Sequence, residues 1–283
     1  MSKLLQYILP IIPKSRTLSQ LTAIIKYTET LWIIYCKVKS FEIAKSHSGR
    51  VMFGSSHGEM ALGRENSEQV YNLCSESQDL ESSVALYNHT IRAGIRIKEV
   101  YLWLSVFSAG FDMNDTRERA RKVSIFDFIT IDSKYKNNII YKFTNMILYH
   151  VNCRHRDGHI RTNNRLVIGD ELTARRAKTH IEMYKKNTQW GHLAEFICIA
   201  EKYNHSVTII LSPARSDYKR YCNAITFDTK YVLGNIPCEL RTKVKILDFF
   251  NYDLIPDREF CDCDHLKNVR RTLDLFDGAL RIK

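Results

Sequence analysis

"VMFGSSHGEMALG", Val51–Gly63, decides how this sequence is read. A short apolar run stops abruptly on Gly54, Ser55 and Ser56, which reads as a buried strand ending in a turn. Small polar residues at the mouth of a strand suit two situations. One is a plain turn. The other is a side chain that must stay exposed while backbone and substrate approach it closely.

The neighbouring segments give the context. "QVYNLCS", near Gln69 to Ser75, predicts a second strand. Asp79 then caps a helix with Leu80, Val84, Tyr87 and Ile91 on one face. "IKEVYLWLSVF" is apolar almost throughout, as befits a strand in a sheet covered on both faces. From Phe111 to Arg175 the pattern is irregular and predicts an insertion with a small helical subregion. "AKTHIEMYKKNTQWGHLAEFICIAEKYN" predicts a long helical stretch interrupted near Gly191, its buried stripe being Leu193, Phe196, Ala200 and Tyr203. "SVTIILSP" and "VKILDFF" predict two more strands. A last helix from about His265 would align Leu266, Val269, Leu273, Phe276 and Leu280.

Strands alternating with helices predict an α/β fold, three layers (α/β/α) around a mainly parallel sheet. Residues 1–48 are expected to form an N-terminal helical extension, and 49–283 the α/β domain, with the irregular insertion around 111–175. In such sheets ligands sit at the carboxyl ends of the strands. The serine-bearing loops "GSSHGE", "SESQD", "SVFSAG" and "SPARSD" all fall there, which makes His57, Ser105 and Ser108 candidate binding residues.

Charge and composition narrow the partners. The 283 residues carry 42 Lys plus Arg against 31 Asp plus Glu, a formal charge of +11. That balance favours anionic partners without choosing among them. The loop "CRHRDGHIRTNNRL" concentrates Arg154, Arg156, Arg161 and Arg165, whose guanidinium forks suit phosphate or carboxylate. Arg154, Arg156 and Arg161 are therefore expected to hold an anionic substrate or donor, the alternative being a solvated loop. Nucleic acid is not an expected partner, because few aromatics interleave with this charge. Eight scattered cysteines suit reduced thiols and a cytoplasmic setting. The opening "MSKLLQYILPIIPKSR" is broken by Pro10 and Pro13, and the next apolar stretch carries Lys26 and Glu29. Neither predicts a secretory signal or a membrane span. For the N-terminal region two readings stand: packing on the domain, or peripheral contact with an acidic membrane surface.

A serine hydroxyl is a weak nucleophile and needs a base, commonly an imidazole oriented by a carboxylate. "FCDCDHLKN" supplies both: Asp262 and His265 stand three apart at a predicted helix start, so both can face one side. The same segment invites a zinc reading through Cys261, Cys263 and His265, but it lacks the paired spacing and the fourth ligand of a structural site. No metal is expected.

"FGSSHGE" early and "DCDHL" late together resemble the SGNH/GDSL hydrolase superfamily. The segments "NLCSESQDL", "WLSVFSAG" and "IILSPARSDYKRY" resemble its divergent members associated with bacterial surface-polysaccharide loci. The resemblance implies a flavodoxin-like fold with Ser56 as nucleophile, Asp262 as orienting acid and His265 as base. It implies an oxyanion hole from the backbone N–H groups of Ser56 and Ser77, the latter where the family has glycine. It also implies a serine-dependent ester hydrolase or O-acyltransferase acting on a carbohydrate or glycan precursor. No cofactor is required, with acetyl-CoA an optional acyl donor. Two departures are plain. The family's aspartate before the nucleophile is Ser55, and its Gly-x-Asn-Asp block is missing, with Ser105 and Phe107 in the expected places. Two other readings follow: a catalytically inactive binding or scaffold protein in glycan assembly, or a transferase of a non-acyl group from an anionic donor.

Overall fold

The computed structural model describes residues 16–43, 49–62, 70–135, 137–140, 143, 169–252 and 255–267. Its centre is a five-stranded, wholly parallel sheet. The strands are β1 (Arg50–Gly54), β2 (Tyr71–Asn72), β3 (Glu99–Leu104), β4 (Ser206–Leu211) and β5 (Val244–Asp248), in the spatial order β2-β1-β3-β4-β5. This is the flavodoxin-like order, whose chain reversal between β1 and β3 opens a crevice at the carboxyl ends of those two strands. β1 and β3 are in register there, Phe53 opposite Leu102 and Gly54 opposite Trp103.

Alternation along the strands builds two cores. Val51, Phe53, Val100, Leu102, Leu104, Val207, Ile209 and Leu211 point into the larger one. They meet Val84 and Tyr87 of α3 (Leu80–Arg92) and Leu193, Phe196 and Ala200 of α6 (Trp190–Lys202). Met52, Tyr101, Trp103 and Ile210 point the other way. They pack with Ala61 of α2 (Ser56–Leu62) and with Phe260 and Leu266. Both faces of β3 are covered, so its residues from Val100 onward are all buried, as its unbroken apolar run predicts. The result is the expected three-layer α/β/α arrangement. The last helix expected from His265 does not begin there, because residues 265–267 are bridge and bend; the rest of it lies outside the described residues.

The long helical stretch is interrupted near Gly191, as expected, the break itself being residues 187–189. Asn187 takes a left-handed conformation (φ 53°) that closes α5 (Asp170–Lys186), and Gly191 lies inside α6. Tyr203, expected in the buried stripe, caps α6 and is exposed. Within the stretch 111–175, expected to be an insertion with a small helical subregion, α4 (Arg119–Tyr135) is a regular helix of 17 residues. Its buried face includes Arg121, Lys122, Ser124 and Asp132 alongside Ile125 and Phe128. Charged residues inside hide the apolar periodicity on which a sequence reading depends.

The N-terminal helix α1 (Arg16–Ile43) buries Ile34 and Val38 in the larger core. A buried ion pair, Lys39 Nζ to Asp132 at 2.5 Å, fastens it to α4. Lys37 bonds Glu59 of α2 at 2.7 Å and the Cys74 carbonyl after β2. Of the two readings for this region, packing on the domain describes residues 20–39. Among the described residues no helix is long and apolar enough to cross a membrane.

Candidate active site

Two glycines explain why β1 ends as it does. Gly54 has φ +143°, and a Cβ there would stand 2.7 Å from the Trp103 carbonyl oxygen. Only glycine adopts that backbone without strain. Gly58 lets α2 press against β3, since a Cβ would meet Cys74 Sγ at 2.7 Å and Trp103 at 3.1 Å. Between them Ser56 becomes the first residue of α2, directly beyond the end of the strand. Its N–H, at the first helical position, has no intrahelical acceptor. Ser55 is 2% exposed, whereas the Ser56 side chain is only half-buried. Of the two serines, Ser56 faces outward.

Residues 259–267 come to meet it in a narrow loop. An antiparallel bridge pairs Phe260 with Leu266, and Cys261 N–H donates to the His265 carbonyl at 2.8 Å. Phe260 and Leu266 anchor both ends in the smaller core. At the tip, the Asp262 carboxylate accepts the N–H groups of Asp264 (3.1 Å) and His265 (2.8 Å). The expected helix start is absent, yet the local physics is the same: a short carboxylate folds onto the amides two and three residues ahead. Cys263 accepts from Arg215 N–H at 2.9 Å and so ties the tip to the loop after β4.

This geometry assembles the residues expected to form a triad. Ser56 Oγ lies 2.9 Å from His265 Nε2, and His265 Nδ1 lies 2.9 and 3.0 Å from the Asp262 oxygens. Nδ1–H donates to Asp262, which leaves the Nε2 of a neutral ring to accept from the serine hydroxyl.

Several groups around it were not anticipated. Asp264 is buried and holds Arg176 of α5 with both oxygens, Nε at 3.1 Å and a terminal nitrogen at 3.0 Å. It also lies 3.0 Å from His57 Nε2 and 3.3 Å from His265 Nδ1. The His57 Nδ1 faces Ser55 Oγ at 3.1 Å, and its ring stacks on His265 with centroids 4.2 Å apart and planes 15° apart. Protein groups engage both His57 nitrogens, so this residue, a candidate substrate contact, stands behind the base. Arg176 also approaches His265 Nδ1 to 3.3 Å, but both are donors when Nδ1–H serves Asp262, so this is proximity and not a bond.

Charge is distributed unevenly among the three nearby imidazoles. Burial lowers the proton affinity of His265, but the Asp264 charge and the bonds to Asp262 and Asp264 outweigh it, pushing the pKa up to about 9. Burial, then the adjacent His265 charge, push His57 down to about 4. Burial likewise takes His180 of α5 down to about 3. Asp264 is held well below the usual carboxylate range, Arg176 being the strongest influence against its burial. Asp262 is held low against its own burial chiefly by its bond to His265.

The remaining expected site residues are spread around this centre. Ser77 lies in the turn after β2 with φ +61°, a conformation glycine adopts at no cost. Ser105 and Ser108 follow β3 in a 3-10 turn, where Ser108 Oγ accepts from Ser105 N–H at 2.9 Å. Phe107, between them, packs on His57 and His180 at 5.5 and 4.7 Å and forms an apolar wall there. Arg154, Arg156 and Arg161 lie outside the described residues. Cys261 and Cys263 do not gather with His265 as a ligand set; Cys263 is buried in the larger core. The seven described cysteines are free thiols.

No protein-family model matches the sequence, and no curated protein matches it. A solved structure described as "The structure of a putative platelet activating factor from Streptococcus pneumonia" is 10% identical, covering 93% of this chain and 99% of that one, with a TM-score of 0.44. A likeness so distant leaves the chemistry to be judged from the site itself.

Proposed function

We propose that the protein is a serine-dependent ester hydrolase or O-acyltransferase. The observation that carries this reading is the unbroken chain from Ser56 Oγ through His265 to Asp262, at 2.9 Å for each link, on an outward-facing serine. In this reading Ser56 Oγ attacks an acyl carbonyl while its proton passes to Nε2. Asp262 stabilises the imidazolium that forms, and the N–H groups of Ser56 and Ser77 receive the oxyanion. Collapse expels the alcohol or thiol, which takes the Nε2 proton. Water or a sugar hydroxyl then accepts the acyl group by the same steps reversed. A carbohydrate acceptor, and acetyl-CoA as an optional donor, rest on the sequence resemblance alone.

Phe107 in place of a polar oxyanion donor favours a second reading, a binding or scaffold protein that keeps the fold without turnover. A fluorophosphonate probe with mass-spectrometric mapping separates the two. Labelling is expected at Ser56, absent in Ser56→Ala and slowed about 10²–10⁴-fold in His265→Ala. No labelling of the folded protein at about pH 9, where roughly half of His265 can accept a proton, would overturn the enzyme reading.

A further inference from the structure

The site contains a second relay beside the first. Ser56, His265 and Asp262 form one chain; Ser55, His57 and Asp264 form another, with links of 3.1 and 3.0 Å. The two imidazoles stack at 4.2 Å. Ser55 is buried, so the second chain has no outlet to a substrate. Its effect is to position Asp264. His57 Nε2–H holds one carboxylate oxygen from below, and Arg176 grips both from α5. The carboxylate is left 3.3 Å from His265 Nδ1.

We propose that Asp264 is a second orienting carboxylate for His265, so that the imidazolium formed when Nε2 takes the Ser56 proton is shared between two carboxylates and not one. The proposal rests on the reading of His265 as base. In the proton transfer the Oγ–H bond breaks, the Nε2–H bond forms, and no other proton moves.

Counting charge shows why Arg176 belongs to the unit. Two carboxylates, Asp262 and Asp264, face two cations, Arg176 and protonated His265, and the buried group is neutral. Without Arg176, two carboxylates would crowd one imidazole and bind its proton too tightly for a base. Without Asp264, Arg176 would face His265 with only Asp262 between them. Every other titratable group near the ring is held neutral. His57 is stacked on the ring, where two positive charges 4.2 Å apart would repel. His180, from α5, is bonded through Nδ1 to Tyr218 of α7 (Ser216–Tyr221) at 2.7 Å. Burial and neighbouring carboxylates hold Cys263 and Tyr218 protonated.

The test is the titration of His265 in the full chain, followed by nitrogen-15 NMR of histidine-labelled protein and assigned with His265→Gln. Asp264→Asn is expected to lower the proton affinity of His265 at least tenfold. Arg176→Gln is expected to raise it. An Asp264→Asn affinity within a factor of about 2 of the wild type would overturn the proposal. Should Asp264→Asn fail to fold, Arg176→Gln decides alone: a rise supports the shared carboxylate, and no change or a fall refutes it. The acyl-transfer reading fails separately, by absence of Ser56 labelling, whatever the titration shows.

Discussion

Two of the carboxylate clusters among the described residues surround buried cations, and they differ in whether a cation there can titrate near neutral pH. In the first, Lys122 of α4 places Nζ 3.0 Å from Asp79, 2.5 Å from Glu81 and 2.9 Å from Asp112. Those carboxylates, outweighing the lysine's own burial, hold the ammonium charged far above the usual lysine range. Its three donors meet three acceptors, and nothing is left over. In the second, the charge opposite Asp262 and Asp264 is divided between a guanidinium, which does not titrate, and an imidazole, which does. That imidazole keeps one nitrogen for Ser56. Both arrangements satisfy buried charge, but only the second sets a titratable cation beside a hydroxyl, His265 Nε2 lying 2.9 Å from Ser56 Oγ.

The largest effect is expected from Lys122→Met, which leaves Asp79 buried without its cation. Loss of about 3 kcal/mol in chemical denaturation is expected, near the low end for a broken buried pair because Glu81 and Asp112 keep partial access to water. His265 should titrate unchanged in this variant. A shifted midpoint would mean that the two clusters are coupled.

The next effect concerns pH. His265 has its pKa raised to about 9 from the ordinary 6.5, so below pH 9 the imidazolium predominates and the base is scarce. The rate of Ser56 phosphonylation should rise about tenfold per pH unit from 7, roughly 100-fold in all, and level off above 9. The same proton stabilises the fold fully below pH 6.5, a contribution lost as pH rises through 9. A labelling rate that is flat or falling from pH 7 to 9 would break the assignment of His265 as a charged base.

The smallest effect lies in the turn joining the two clusters, where Ser77 stands two residues before Asp79. Ser77→Gly removes the strain of a left-handed serine and should add up to about 1 kcal/mol of stability. Labelling of Ser56 should persist, because the N–H assigned to the oxyanion is unchanged. Loss of labelling would point to the Ser77 hydroxyl.

Much of this was legible in the sequence, and the pattern of success has physical causes. β1, β3 and β4 announce themselves because a strand buried on both faces must be apolar throughout. Ser56, Asp262 and His265 could be found because each sits in a short motif whose backbone geometry is local: a glycine-led turn, and an aspartate folding onto its next amides. Asp264 stood in the same quoted segment, yet its direction depends on Arg176, 88 residues earlier, and on His57. Nothing local encodes that meeting. The only sequence signal was Arg176 and His180, four apart and so on one face of α5. The bounds and buried face of α4 went unread for the opposite reason: that face carries Arg121, Lys122 and Asp132, so burial and hydrophobicity part company.

The Ser56–His265 hydrogen bond spans 209 positions of the chain. At about 5–20 residues per second, a ribosome needs roughly 10–40 s to travel from one to the other. Throughout that interval Ser56 is an ordinary alcohol on a growing chain, beside β1 but without its imidazole. The hydroxyl meets His265 only after all five strands of the sheet have been made, so a truncated or half-made chain carries Ser56 without its hydrogen-bond partner.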